Sequence, residues 1–65
     1  MRLTVNGETV DCRAGTVREL LDELGVKARA VAVEVNLSIV GKKDFETFPL
    51  KEGDHVEIVN FVGGG

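Results

Sequence analysis

Hydrophobic and polar residues change their period four times along this chain, and each change marks an element. Leu3 and Val5 alternate with Arg2, Thr4 and Asn6, the period-two pattern of a half-buried strand. Asn6-Gly7 follows, a two-residue hairpin signal, because type I′ turns need positive φ at both central positions. Thr9-Val10-Asp11-Cys12 alternates again, so the chain opens with a β-hairpin. The period then lengthens. Val17, Leu20, Leu21 and Leu24 fall at i, i+3, i+4 and i+7, one apolar stripe of a helix. Thr16 and Glu19 have the spacing of a capping box, and Gly25 supplies a left-handed stop. Arg18 and Asp22 are set for an i,i+4 ion pair, and Glu19, Asp22 and Glu23 form a solvated outer face.

Ala30–Asn36 is almost wholly apolar and rich in β-branched residues, which predicts a central strand buried on both faces. Ile39-Val40-Gly41 is a short edge piece. Lys42 to Pro49 is irregular, with Phe45, Phe48 and Leu50 lidding the core. Lys51–Asp54 is a turn, and His55 to Val62 forms the last strand. One amphipathic helix covers one face of one sheet, so the economical architecture is α+β: a mixed four- to five-stranded sheet with one helix packed across it. The hairpin supplies an antiparallel pair, and the helix is expected to carry the chain to a strand parallel to the first. That arrangement is the ubiquitin-like β-grasp. The domain is expected to span residues 1–62, leaving 63–65 as a flexible glycine tail.

Length and charge narrow the chemistry. Sixty-five residues make one domain with a thin margin of stability. Cys12 is the only cysteine, so no disulfide forms within the chain; it fits a reducing compartment and a small buried core position. One His and one Cys do not make a zinc site. The first residues lack the apolar run of a signal peptide, and no stretch approaches a membrane span, which points to the cytoplasm. A net charge of −3 argues against a nucleic-acid binder and is compatible with a partner that presents a basic face. There is no Ser/His/Asp set, because His55 is the only histidine, and no Gly-rich phosphate loop. The chain is therefore not expected to be an enzyme or to bind a cofactor or metal.

The last strand holds the candidate site. Val56, Ile58 and Asn60 face one way and Glu57, Val59 and Phe61 the other. With Val56 and Ile58 turned to the helix, Val59 and Phe61 lie on the open face of the sheet, next to Val62 and three terminal glycines. Glycine there adds nothing to a core and loses more entropy on ordering than other residues. The expectation is a docking patch of Val59, Phe61 and Val62 beside a tail of Gly63, Gly64 and Gly65.

These residues carry a resemblance. Asn6-Gly7 in the first hairpin, GTVRELLDELG (residues 15–25), VAVEVN (31–36) followed by IV (39–40), and LKEGDHVEIVNFVGGG (50–65) resemble the ThiS family, the sulfur carriers of thiamin biosynthesis, over essentially the whole chain. The resemblance implies that the α-carboxylate of Gly65 is adenylated by an E1-like enzyme, which uses the ATP. The carboxylate then becomes a thiocarboxylate, fed by a cysteine desulfurase or related sulfurtransferase, and its sulfur passes to thiazole synthase. Gly64 matches the penultimate glycine of the family, and Gly63 adds reach. A molybdopterin-type sulfur carrier and a non-covalent ubiquitin-like interaction module are the alternatives.

Overall fold

The computed structural model describes residues 1–61. Five strands and one helix follow in the order β1 (Arg2–Val5), β2 (Glu8–Asp11), α1 (Val17–Leu24), β3 (Val31–Val35), β4 (Ser38–Val40) and β5 (His55–Asn60). Single 3-10 turns precede β3 at Ala28–Ala30 and follow β4 at Lys42–Asp44. The strands form one mixed sheet in the order β2-β1-β5-β3-β4. β1 and β5 run parallel, and the other neighbouring pairs are antiparallel. The expected parallel neighbour of the first strand is therefore β5, not the strand after the helix. β3 pairs antiparallel with β5 and so points against β1. The physical reason lies in the last crossover, which inserts β5 between β1 and β3 and satisfies the inner edges of both.

The helix ends as its residues predict. Thr16 is the N-cap, and its hydroxyl accepts the Glu19 N–H at 3.2 Å. Glu19 reaches back to the Gly15 N–H at 2.7 Å, one residue beyond the usual partner of a capping box. At the other end Gly25 sits at φ 73°, and the Val26 N–H bonds the Leu21 carbonyl at 2.9 Å. That i−5 closure is a Schellman motif. The segment after β4 completes the helix start. The Val17 and Arg18 N–H groups donate to the carbonyls of Phe48 and Phe45, so these two helix donors are bonded to a distant loop. The residues expected to lid the core thus also terminate the helix.

The core lies between α1 and one face of the sheet. Val17, Leu20 and Leu21 from the helix meet Leu3, Val31, Val33 and Val56, all fully buried, and Phe45, Leu50 and Cys12 close its margins. Leu24, the fourth member of the apolar stripe, is exposed; it stands in the last turn, clear of the packed cluster. β3 differs from expectation more clearly. It is buried on one face only, through Val31, Val33 and Val35, while Ala32 is exposed and Glu34 half-buried. The apolar run reflects a small residue, Ala32, on the open face. With one helix in the domain, no second layer covers that face.

Candidate functional site: the open face of the sheet

The face opposite α1 is built by alternation. On β5, Val56 is buried and Ile58 packs against the core, whereas His55, Glu57 and Val59 point outward. Phe61 continues this phase beyond the end of the strand. Val59 is 59% exposed and Phe61 54%, as their positions in the sequence led one to expect. The strand itself stops at Asn60, two residues short of the expected end. Val62, Gly63, Gly64 and Gly65 lie outside the described residues.

Cross-strand register tells which side chains join this face. Ala32 lies directly opposite Val59, Glu34 opposite Glu57, and Ile39 opposite Glu34 on the far side. Ile39 is exposed and sits diagonally from Ala32. Ile39, Ala32, Val59 and Phe61 thus give a discontinuous apolar band that ends where the chain leaves the sheet. Exposed apolar residues gathered in this way, rather than singly, make this face the candidate contact surface.

The last described residue of this band is pinned. The Phe61 N–H donates to the Ala30 carbonyl at 3.0 Å, and the Lys42 ammonium stands 5.1 Å from the centre of the Phe61 ring. That distance is within the range of a cation–π contact. The same ammonium donates to the Arg29 carbonyl at 2.9 Å. Phe61 is thereby held in a fixed direction although more than half of it faces solvent. Sequence reading missed Ala32, Ile39, Arg29 and Lys42 as members of the site. The first two were legible as strand residues, but their place beside Val59 depends on pairing register. Arg29 and Lys42 come from two separate 3-10 turns, and no local pattern links them.

Little else converges. His55 is exposed, and its backbone N–H donates to Asn36 Oδ1 at 2.9 Å. Cys12 is buried in the core. Among the described residues no group of three His, Cys, Asp or Glu side chains is placed to hold a metal ion. No helix among them is long and apolar enough to cross a membrane. A groove of about 440 Å³ beside the end of α1 is lined by Arg18, Asp22, Lys27 and Arg29 among others.

A five-stranded mixed sheet gripping one helix, with apolar residues exposed on the open face, defines a ubiquitin-like β-grasp domain. Comparison with known proteins gives the family. The model of the ThiS family matches residues 2–65. The chain is 38% identical to the sulfur carrier protein ThiS of Bacillus subtilis, over 97% of this chain and 98% of that protein. A crystal structure of the thiamine biosynthesis protein ThiS from Geobacter metallireducens superposes over the whole of both chains with a TM-score of 0.85 and 39% identity. A thiazole synthase of Paramagnetospirillum magneticum is 50% identical over this entire chain, which spans only 20% of that protein's length. A second thiazole synthase, from Magnetococcus marinus, is 41% identical and is likewise spanned over 20% of its length. The chain belongs to the ThiS family.

Proposed function

We propose that the protein is a sulfur carrier of thiamin biosynthesis that works through the α-carboxylate of Gly65. The observation that carries this reading is a family match that runs to residue 65 and so includes the glycines. A carboxylate is a poor acyl donor. Transfer of AMP from ATP gives a mixed anhydride and releases pyrophosphate, and this step belongs to an E1-like adenylating partner. A sulfur donor, such as a cysteine desulfurase or related sulfurtransferase, presents a persulfide whose outer sulfur displaces AMP to give an acyl disulfide. A thiol then cleaves the S–S bond, itself being oxidised to a disulfide, and leaves the thiocarboxylate. Its sulfur is a good nucleophile near neutral pH and passes to thiazole synthase. Relatives in which a stretch like this one forms a fifth of a protein named thiazole synthase support that acceptor.

The domain supplies no reacting side chain in this scheme; it presents an end. Glycines leave no Cβ to obstruct attack at the carbonyl, and their free φ and ψ let the tail thread a narrow channel. Val59 and Phe61, with Val62 beyond them, act as the docking patch, and the exposed band of Ile39 and Ala32 extends it.

Intact-mass measurement after incubation with ATP, the adenylating enzyme and a sulfur donor tests the reading. The expected result is the gain of sulfur in place of one oxygen, localised to Gly65, and its loss when one residue is appended after Gly65. An unchanged mass, with an enzyme competent on another carrier, would overturn it. Val59→Asp and Phe61→Asp are expected to weaken binding to the adenylating enzyme while retaining the fold, since both positions are more than half exposed.

A further inference from the structure

Charge is not spread evenly over the open face. Beside Phe61 the Lys42 ammonium stands over the ring and donates to the main-chain carbonyl of Arg29, and Arg29, exposed like Lys42, directly precedes Ala30, whose carbonyl accepts the Phe61 N–H. Further up β5, Glu57 lies directly opposite Glu34. Among the described residues the four ion pairs are Arg2–Asp11, Arg18–Asp22, Arg18–Glu46 and Lys43–Asp44. Neither the basic nor the acidic group of the open face takes part in any of them. The Glu34–Glu57 juxtaposition is unfavourable for the isolated sheet, since like charges directly opposite on neighbouring strands repel. Between the two poles lie Ala32 and Val59.

From Glu57 to Phe61 is four residues of extended chain, about 13 Å. The screening length at physiological ionic strength is about 8 Å, so the two poles act on a partner separately rather than cancelling. We infer that this face is a bipolar docking surface whose partner is a protein with carboxylates around the mouth of its tail channel and a basic side chain farther out, against Glu34 and Glu57. The inference rests on the reading that the tail enters an adenylating enzyme. The two poles set the direction of approach: rotating the carrier in the plane of contact brings like charges together. The apolar band supplies area, and the charges supply register, the usual division of labour at such surfaces.

Reach identifies the basic pole's target. Gly65 is four residues past Phe61, at most about 14 Å when extended. A nucleotide phosphate that reacts with the Gly65 carboxylate therefore stands well beyond the side chains of Arg29 and Lys42 when the tail is extended into a channel. What those side chains meet is the protein rim. Lys42 spends one of its three N–H donors on the Arg29 carbonyl, which leaves others for a carboxylate of the partner.

The test is stopped-flow association of the full chain with the E1-like adenylating enzyme, at low ionic strength and at high salt. Reversal of the basic pole (R29E/K42E) and reversal of the acidic pole (E34K/E57K) are each expected to slow association about tenfold at low salt, and the difference should vanish at high salt. Faster association of the E34K/E57K variant would show plain attraction between net charges and overturn the bipolar arrangement. So would an unchanged rate for either reversal while the wild-type chain is thiocarboxylated normally. Should the wild-type chain itself gain no sulfur, the reading of the tail fails first, and the docking inference goes with it. The neutral variant E34Q/E57Q guards against misfolding. It is expected to melt at a higher temperature than wild type, through relief of repulsion, and still to associate more slowly. A higher melting temperature with an unchanged rate would overturn the inference.

Discussion

Two hairpin turns in this domain share one backbone shape and differ in what that shape costs. Asn6-Gly7 joins β1 to β2, and Asn36-Leu37 joins β3 to β4. Both are two-residue loops with positive φ at both positions: 50° and 83° in the first, 51° and 72° in the second. In each, the asparagine side chain reaches β5. Asn6 Oδ1 accepts the Ile58 N–H at 2.7 Å and its Nδ2 donates to the Ile58 carbonyl at 3.2 Å, extending the short β1–β5 ladder by an amide in place of a peptide. Asn36 Oδ1 accepts the His55 N–H, and its Nδ2 donates to Asp54 Oδ1 at 3.0 Å. Asp54 is the one buried charged residue among those described, 7% exposed, and its other oxygen accepts the Lys51 N–H at 2.8 Å.

The first turn thus ends in solvent-side pairing, and the second anchors a buried carboxylate. The second also carries the poorer residue. Gly7 adopts its left-handed φ without a Cβ, whereas Leu37 holds a similar φ with a branched side chain that is 89% exposed. The comparison teaches that the asparagine carries the connection to β5 in both turns, and that the following residue only adjusts its cost.

Urea unfolding of single variants can break this comparison at four points. Asn36→Ala is expected to be the most damaging, at about 3 kcal/mol, because it removes a hydrogen bond to β5 and leaves a buried carboxylate oxygen without its donor. Asn6→Ala should cost less, about 1–2 kcal/mol, since water can reach the freed Ile58 peptide. Equal losses at the two asparagines would mean that Asp54 contributes nothing to the difference. Gly7→Ala should cost about 1 kcal/mol from the left-handed backbone alone, as its added Cβ would meet nothing within 4 Å. Leu37→Gly should change sign and stabilise by about 0.5 kcal/mol, the relief of left-handed strain partly offset by the greater unfolded-state freedom of glycine. Destabilisation by Leu37→Gly would show that this exposed leucine packs in a way that its exposure does not suggest.

Much of the molecule was legible in advance because local chemistry decides it. The first hairpin follows from Asn6-Gly7, the helix from its stripe and from Thr16 and Gly25, and the outward placement of Val59 and Phe61 from strict alternation along one strand. The second hairpin was less legible because Leu37 hides a turn that glycine would have announced. The one-sided burial of β3 was misread because an alanine on an open face has the same hydrophobicity as an alanine in a core. The buried role of Asp54 had no local signal, since an Asp after Gly in a turn is ordinarily solvated.

The sequence by itself determined which segments are strand or helix, where the helix starts and stops, and that the chain closes on an apolar, glycine-ended stretch. These are matters of φ, ψ and period, settled within a few neighbouring residues. Only the tertiary structure decided that β5 runs between β1 and β3, that Glu34 faces Glu57, and that Lys42 reaches both the Phe61 ring and the Arg29 carbonyl. Such contacts join residues from separate elements. They depend on the register of the whole sheet, where a shift of one residue would turn every side chain to the other face.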